Sequence, residues 1–370
     1  MPPLRIGVNA LYLIPGGVGG TEIYLRGLLA ALAEIDPANQ YFVFTNRETG
    51  SDLTPARPNF THVPQPIHAA FRPMRILWEQ TALPVATVRR SLDVLLNAGF
   101  TAPLLAPCPQ VTVFHDLQHV RHPEYFRFFD LPFWRFLLFW SAHVSRLVLV
   151  GSAVTAADVL EHYRLPESKV RIARLGVDPI FFDIARRRCP EPFLLTVSTL
   201  HPHKNLDGLL RAFAELRRER PEFRFIVCGL HGFVTDSLFA LRDSLGLADA
   251  VDFPGWIPRD ELHDLYARAW AFVYPSLFEG FGIPVLEAMA AAVPTTCSAI
   301  EPIRATAGDA ALLFDPRDPV AITEALRRIT GDVPLRTRLS EAGPRQAAQF
   351  TWKATAEVTL EALRDACRDR

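Results

Sequence analysis

Short apolar runs alternate with longer segments of helical spacing along most of the chain. The runs Leu4–Ala10 and Phe193–Ser198 are predicted to be buried strands, because nearly continuous apolar residues are typical of strands covered on both faces. Between such runs, apolar residues recur every three or four positions, as they do from Leu206 to Leu216. Strands and helices that alternate in this way build a parallel sheet covered by helices. The pattern therefore predicts an α/β fold.

The alternation is interrupted between Gly176 and Pro192. This stretch combines glycine, prolines and a run of arginines, and it shows no hydrophobic periodicity. The strand and helix pattern then starts again. We therefore predict an N-terminal domain over 1–178, a linker over 179–192 and a C-terminal domain over 193–352.

Composition excludes several classes of protein. The chain is 49% hydrophobic, so it can bury full cores, and its formal net charge of −1 argues against general nucleic-acid binding. Its five cysteines are scattered and form no CxxC pair, which predicts a reducing compartment and no structural zinc. Neither a signal peptide nor an uncharged run long enough to span a bilayer is visible. We therefore expect a cytoplasmic protein.

One stretch combines a strand, a glycine-containing turn and a helix start. The apolar run Trp270–Tyr274 is followed by Gly280 and Gly282, and a helix then opens with proline in its first turn. Free N–H groups and the helix dipole make such a place an anion site. Glu279 and Glu287 flank the turn and could accept hydrogen bonds from sugar hydroxyls. The alternative is that both carboxylates only stabilise the positive end of the helix.

At these residues the chain resembles a known family. Glu279 and Glu287, with seven residues between them, are similar to the E-x7-E motif of the retaining glycosyltransferases of family 4. The flanking Pro275-Ser276 and the run from Pro284 to Met289 also match. The resemblance implies the GT-B fold, in which two Rossmann-like β/α/β domains face each other across a cleft. It also implies that Glu287 holds ribose hydroxyls and that Glu279 contacts the transferred sugar.

A lysine stands at an unfavourable place before the helix that starts near Leu206. Lys204 is one of only three lysines, and a cation there faces the positive end of the helix dipole unless an anion joins it. The resemblance implies that Lys204 binds the donor diphosphate, and as a loop residue it is expected to be exposed. The implied donor-binding set also contains two residues that replace arginines of relatives, Thr199 and His203, as well as Gly17, Gly282 and Ile283.

The N-terminal half carries two further candidate regions. The loop Pro15–Gly20 lies between a strand and a helix, which is the layout of a phosphate site, although a flexible turn explains it as well. It resembles the glycine loop that lies between donor and acceptor in family 4. On that basis the candidates for acceptor contacts are Gly19, Gly20 and Glu22.

His115 and Asp116 end another predicted strand. With Leu117 and the later run from Arg121 to Tyr125, they resemble a stretch of a mannosyltransferase-like branch of the family. The resemblance implies that His115 reaches the donor sugar, and Asp116 is an acceptor-side candidate. A structural role for a histidine at a strand end is the alternative.

The segment from Pro123 to Trp140 is unusually rich in aromatic residues. We expect it to form a helix buried against the sheet. The alternative is an aromatic face, dotted with arginines, that rests in a membrane interface as a peripheral contact.

The resemblance covers nearly the whole chain, and Phe350-Thr-Trp352 is similar to the closing motif, after which a last helix, 353–370, packs back on the first domain. The function expected is retaining transfer of a hexose, best mannose, from GDP-mannose or another GDP-, UDP- or dTDP-sugar to a glycan or lipid-linked acceptor. Polysaccharide or glycolipid biosynthesis is the expected setting. With no Asp-x-Asp motif in the sequence, no metal and no cofactor are expected. The alternatives are a non-catalytic GT-B partner that binds nucleotide sugars and a GT-B sugar-nucleotide epimerase.

Overall fold

The computed structural model describes residues 2–368 and divides the chain into two compact units. The first unit comprises Met1–Gly176 and Trp352–Arg370, and the second comprises Val177–Thr351. The strands of the first unit are β1 (Arg5–Asn9), β2 (Gln40–Thr45), β3 (Phe60–Pro64), β4 (Val94–Asn97), β5 (Gln110–Phe114), β6 (Leu147–Val150) and β7 (Val170–Ile172). Its helices are α1 (Gly20–Ile35), α2 (Arg72–Arg89), α3 (Gln118–Arg121), α4 (Leu131–Val144), α5 (Ala153–Tyr163) and, from the chain end, α14 (Trp352–Arg368).

All strands of the first unit are parallel and form one sheet in the order β3-β2-β1-β4-β5-β6-β7. The central strands are fully buried, which explains why they read as unbroken apolar runs. The order runs outward from β1 in one direction and from β4 in the other. The carboxyl ends of these two neighbouring strands are therefore the topological switch point of this sheet.

The second unit repeats this design with six parallel strands. They are β8 (Phe193–Val197), β9 (Arg224–Cys228), β10 (Val251–Gly255), β11 (Ala271–Tyr274), β12 (Thr295–Ser298) and β13 (Leu312–Phe314). Its helices are α6 (Ile180–Ala185), α7 (Leu206–Glu219), α8 (Thr235–Ser244), α9 (Arg259–Arg268), α10 (Ile283–Ala290), α11 (Ile303–Ala307), α12 (Pro319–Gly331) and α13 (Val333–Ala347). The sheet order is β10-β9-β8-β11-β12-β13, so the switch point lies between β8 and β11.

The last helix belongs to the first unit, where it lies against α1. A Cβ atom added to Gly27 of α1 would clash with the ring of Trp352, the first residue of α14. The hydroxyl of Thr355 donates to the carbonyl oxygen of Arg174 at 2.5 Å. Only glycine on α1 permits this close crossing, which begins within the closing motif of the sequence.

Several local predictions differ from the structure. Part of the predicted linker is helical, because Phe181 and Ile184 of α6 are fully buried side chains that order the segment. Helices α8 and α13 were not predicted. Proline within α13, at position 344, and the few buried residues of α8 weaken the periodic signal. Ala292 takes a left-handed φ of 54°, a backbone conformation that favours glycine over residues with a Cβ atom.

The prediction that the aromatic segment is buried is wrong for one face of α4. Leu137, Leu138 and Ala142 pack into the core, but Phe133, Phe136 and Trp140 on the other face are exposed. The helix has more apolar positions than its inner face can bury, and a sequence pattern cannot show which of them remain outside. Within residues 2–368, no helix is both long and apolar enough to cross a membrane.

Candidate active site

Two loops meet at the switch point of the second unit. One follows β8 and contains Thr199, His203 and Lys204, while the other follows β11 and contains Glu279. The carbonyl oxygen of His203 accepts a hydrogen bond from the N–H of Leu277 at 2.7 Å. This bond ties the loops together at the edge where parallel sheets bind their ligands.

An ion pair joins the two loops through their side chains. The Nζ atom of Lys204 lies 2.5 Å from Oε1 of Glu279 and 3.0 Å from the hydroxyl oxygen of Tyr274. Ser276 donates its hydroxyl to the same carboxylate oxygen at 2.5 Å. The side chains of Lys204 and Glu279 are only 14% and 11% exposed. The expectation of an exposed Lys204 is therefore wrong, because Glu279 supplies the anion that lets a cation stand before α7.

Helix α10 begins directly after this pair. Gly282 caps it with a left-handed φ of 96° that favours glycine, and the first bond of the helix runs from the N–H of Val285 to the carbonyl of Gly282. The N–H groups of Gly282 and Ile283 precede that bond and so stand outside the helical ladder. The local structure is thus the strand, turn and helix start that the sequence predicted.

Glu287 lies one turn further along α10 and is buried. Tyr266 of α9 donates its hydroxyl to Oε2 of Glu287 at 3.0 Å. Burial raises the pKa of Glu287 to about 7, although the bond from Tyr266 and the charge of Arg259 act in the opposite direction. The carboxyl group is therefore poised to titrate near neutral pH.

Aromatic side chains connect the two acids. Tyr266 stacks with Phe272, and Phe272 stacks with Tyr274, with ring centroids 5.8 and 5.9 Å apart. The pKa of Tyr274 is raised by burial and by the charges of both Glu279 and Glu287. Sequence analysis missed Tyr266 and Tyr274 as site residues, although Tyr274 is the first residue of the motif.

A buried hydroxyl at the end of β8 was also missed. The Oγ atom of Ser198 is buried and has no hydrogen-bond partner among residues 2–368. Gly229, after β9, passes so close that a Cβ there would clash with the carbonyl oxygen of Ser198. No sequence motif marks Ser198, because its burial depends on the approach of β9.

In the first unit, the glycine loop is held by its neighbour Glu22. One carboxylate oxygen of Glu22 accepts from the N–H of Gly16 at 2.7 Å, and the other accepts from Nε of Arg26 at 2.8 Å. Gly17 donates its N–H to the carbonyl of Ile14, and a Cβ atom added to Gly19, which caps α1, would meet nothing within 4 Å. Gly20 is the first residue of the helix. Glu22 therefore braces the loop, and an acceptor contact from it stays a prediction.

His115 and Asp116 both make local contacts at the end of β5. Nε2 of His115 lies 2.9 Å from the carbonyl oxygen of Ala98, so this nitrogen carries the proton in the neutral ring. Burial lowers the pKa of His115 to about 4, and the ring packs edge-on against Tyr24 and Phe100. Nδ1 is then an acceptor. Asp116 accepts from the N–H of Gln118, the first residue of α3.

Two other polar features lie away from these residues. A groove of about 860 Å³ runs between β10 and α9, far along the sheet from the switch point, and contains none of the predicted residues. On α5, Asp158, Glu161 and His162 offer three potential metal ligands, but Asp158 already pairs with Arg121. Neither feature matches the predicted chemistry.

The switch point of the second unit has the parts that a group transfer from a diphosphate needs. A cation and two N–H groups at a helix start can stabilise charge on a departing phosphate. Two carboxylates can accept hydrogen bonds from hydroxyl groups. The roles of the individual residues remain predictions.

Two family models match the chain. The model described as "Glycosyltransferase Family 4" matches residues 18–181, and the model described as "Glycosyl transferases group 1" matches residues 179–346. Together they cover parts of both units.

Curated relatives are similar over more than half of the chain. O-antigen chain mannosyltransferase B of Escherichia coli is 29% identical over 69% of this chain and 70% of its own length. D-inositol 3-phosphate glycosyltransferase of Thermobispora bispora is 34% identical over 58% of this chain. MMP alpha-(1->4)-mannosyltransferase of Mycolicibacterium hassiacum is 31% identical over 59% of this chain. The matched parts span 56% and 53% of these last two proteins.

Solved structures share the fold. Sucrose-phosphate synthase from Thermosynechococcus elongatus superposes with a TM-score of 0.82 at 20% identity, over 99% of this chain and 100% of that chain. WaaG, a glycosyltransferase involved in lipopolysaccharide biosynthesis, gives a TM-score of 0.75 at 17% identity, over 97% and 99%. At these identities the likeness shows the fold, which is that of the GT-B glycosyltransferases. The two family models, which together span residues 18–346, and the mannosyltransferase relatives show that the chain belongs to glycosyltransferase family 4.

Proposed function

We propose that this enzyme transfers mannose from GDP-mannose to a hydroxyl of a glycan or lipid-linked acceptor, with retention of the anomeric configuration. The observation that carries the proposal is the pairing of Lys204 with Glu279 beside the start of α10, at the switch point of the second unit. The names of two relatives, an O-antigen chain mannosyltransferase and an MMP mannosyltransferase, support mannose and a role in polysaccharide biosynthesis.

The proposed step breaks the bond between the sugar and the donor phosphate on the face where the acceptor oxygen attacks. The acceptor proton passes to the departing phosphate oxygen, so no protein nucleophile is needed. Lys204 and the N–H groups of Gly282 and Ile283 stabilise the growing negative charge. Glu279 holds Lys204 in place through their ion pair, and Glu287 accepts hydrogen bonds from ribose.

The direct test is a transfer assay with GDP-, UDP- and dTDP-sugars in the presence of EDTA. We expect turnover with GDP-mannose, no loss on chelation, and a product whose anomeric coupling in NMR matches that of the donor. An inverted product would contradict the retaining mechanism. Nucleotide binding without transfer or hydrolysis of any sugar would instead favour a non-catalytic partner.

Lys204→Ala should lower kcat about 100-fold or more, because one preformed contact to the leaving group is lost. It should also reduce the free energy of unfolding by about 1–3 kcal/mol, because the largely buried Glu279 loses its partner. Lys204→Met combined with Glu279→Gln should recover stability but not activity. Lys353→Ala, on an exposed part of α14, is the matched control and should change neither. Near-normal kcat in Lys204→Ala would refute the assignment.

Glu287→Gln should weaken binding of GDP-mannose while stabilising the fold at high pH. The folded pKa of about 7 lies above the usual value of 4.5, so the stability that protonation confers is lost as pH rises from 4.5 through 7. A glutamine at this position does not ionise, so the free energy of unfolding of the Glu287→Gln variant should rise by on the order of 2 kcal/mol relative to that of the wild type between pH 5 and pH 8. Calorimetry and denaturation at both pH values measure the two effects. Unchanged donor affinity would make Glu287 a structural residue only.

We further propose that the first unit contacts the cytoplasmic surface of an anionic membrane. The outer face of α4 carries Phe133, Phe136 and Trp140, which are 49%, 55% and 43% exposed. The outer face of α2 is also apolar, with Met74, Leu77, Val85 and Val88 exposed. The two helices are linked by Arg72, whose guanidinium lies 5.1 Å from the ring of Trp134.

Charge supports a membrane as the partner of this two-helix surface. Helix α4 has no carboxylate, and the only one on α2, Glu79, is buried. The exposed charges of the two helices are therefore arginines. Exposed aromatic and aliphatic residues together with cations are typical of helices that lie in the interface of anionic bilayers.

Vesicle sedimentation tests the surface. The protein should sediment with vesicles containing phosphatidylglycerol more strongly than with pure phosphatidylcholine, and Phe133→Glu with Phe136→Glu should release it. Trp134 is left intact because it packs against the core and Arg72. Val320→Glu with Val333→Glu, two exposed positions of the second unit, is the control. Equal sedimentation of both double variants would refute the proposal, and a loss of self-association in the first would indicate a dimer interface.

A further inference from the structure

The first unit has a switch point of its own, and a second group of polar side chains meets there. Tyr12 lies in the loop after β1, and Gly99 and Thr101 lie in the loop after β4. The ring of Tyr12 packs so closely on the second loop that a Cβ atom at Gly99 would clash with it. The hydroxyl of Tyr12 donates to the carbonyl oxygen of Thr21 at the start of α1.

Helix α2 adds a buried acid to this group. Glu79 is 1% exposed, and its Oε2 atom accepts the hydroxyl of Thr101 at 3.0 Å. The other carboxylate oxygen has no hydrogen-bond partner among the described residues. Burial raises the pKa of Glu79, while Arg75 acts in the opposite direction.

Arg75, one helical turn before Glu79, has an unusual environment. Its Nε atom is buried without a hydrogen-bond partner, and it is the only arginine atom of residues 2–368 in that condition. Burial and the charge of Arg72 lower the pKa of Arg75, and the charge of Glu79 only partly offsets this. Yet the guanidinium forms no ion pair within 4.0 Å with any described carboxylate, in contrast to Arg26 of the same unit, which pairs with Glu22.

A half-buried guanidinium without hydrogen-bonded partners is unfavourable. An unpaired buried charge loses its hydration and gains nothing in return, so native structures normally pair it. Arg75 presents five N–H donors in a planar fork, which matches the oxygens of a phosphoryl or carboxylate group. Its position at a switch point is where α/β sheets bind ligands. The buried, unsatisfied Nε donor of this fork therefore indicates an anionic ligand.

We propose that Arg75 binds a phosphoryl or carboxylate group of the acceptor and so selects anionic acceptors. The assignment of this anion to the acceptor rests on the proposed function, whereas the binding of an anion by Arg75 does not. Neutral acceptors would leave the guanidinium unpaired in the complex and should react more slowly.

Anion binding is tested first without any sugar substrate. In a Lys204→Ala background, which silences the proposed diphosphate site, the melting temperature is titrated with inorganic phosphate, acetate and chloride at constant ionic strength. Stabilisation by phosphate over acetate assigns a phosphoryl group, and the reverse order assigns a carboxylate. Adding Arg75→Met should weaken the apparent affinity at least tenfold, and Arg75→Lys should restore part of it. Arg89→Met, at an exposed position of the same helix, should leave the affinity unchanged.

A labelling experiment keeps the test decisive if Arg75→Met does not fold. The Lys204→Ala protein is treated with phenylglyoxal, and labelled arginines are identified by mass spectrometry. The stabilising anion should protect Arg75 at least tenfold and leave Arg89 unprotected. No stabilisation by either anion, or equal labelling of Arg75 with and without it, would overturn the proposal.

The acceptor arm uses pairs of oligosaccharides that differ only by one phosphate or one carboxylate. Arg75→Met should reduce the preference in kcat/KM for the anionic member at least tenfold. If the wild type transfers no sugar, the proposed function fails but the anion-binding result stands. If transfer proceeds and Arg75→Met keeps the wild-type preference, the acceptor assignment is wrong.

Discussion

Parallel pairing of every strand is the constraint on which this structure depends. Each crossover must return the chain to the same end of the sheet, so all carboxyl ends collect at one edge. Where the strand order reverses, the two following loops diverge and leave room for a ligand. Both units contain one such place, between β1 and β4 and between β8 and β11. Arg75 and Glu79 lie at the first of these places, and Lys204 and Glu279 lie at the second, because the strand order leaves room for a ligand there.

The cations at the two switch points differ in whether a carboxylate pairs with them. In the second unit, Lys204 is compensated by Glu279, so the cation is kept ready without a ligand. In the first unit, Arg75 is half-buried and its Nε atom has no hydrogen-bond partner in the described part of the chain, although Glu79 lies on the next turn of the helix. A cation that is already paired with a carboxylate suits a leaving group whose negative charge grows during the reaction, because the ion pair can rearrange as the leaving group departs. A cation without such a partner suits a ligand that carries a permanent negative charge.

Burial also changes what familiar residues can do. Glu287 would be an ordinary carboxylate on a surface helix, but within the second unit its pKa rises to about 7. His115 stays neutral for the same reason and offers an acceptor nitrogen, because its other nitrogen bonds to Ala98. Helices α2 and α4 show the converse, since each has apolar residues left outside after its inner face is filled. Loss of solvent thus shifts the pKa values of Glu287 and His115. Incomplete burial leaves the apolar outer faces of α2 and α4 exposed.

The sequence alone determined the alternation of strands and helices, the repeat of the design in two halves, and the motif around Glu279 and Glu287. These features are local, because periodicity, turn residues and motif spacing are read within a short window. The tertiary structure alone decided that Lys204 is largely buried in an ion pair and that Tyr266 meets Glu287. It also decided that Oγ of Ser198 and Nε of Arg75 find no hydrogen-bond partner among residues 2–368. Such contacts join residues far apart in the chain, and whether a polar atom finds a partner depends on how the strands and helices pack. Local patterns therefore predicted where the site lies, while packing determined which charges in it are already satisfied.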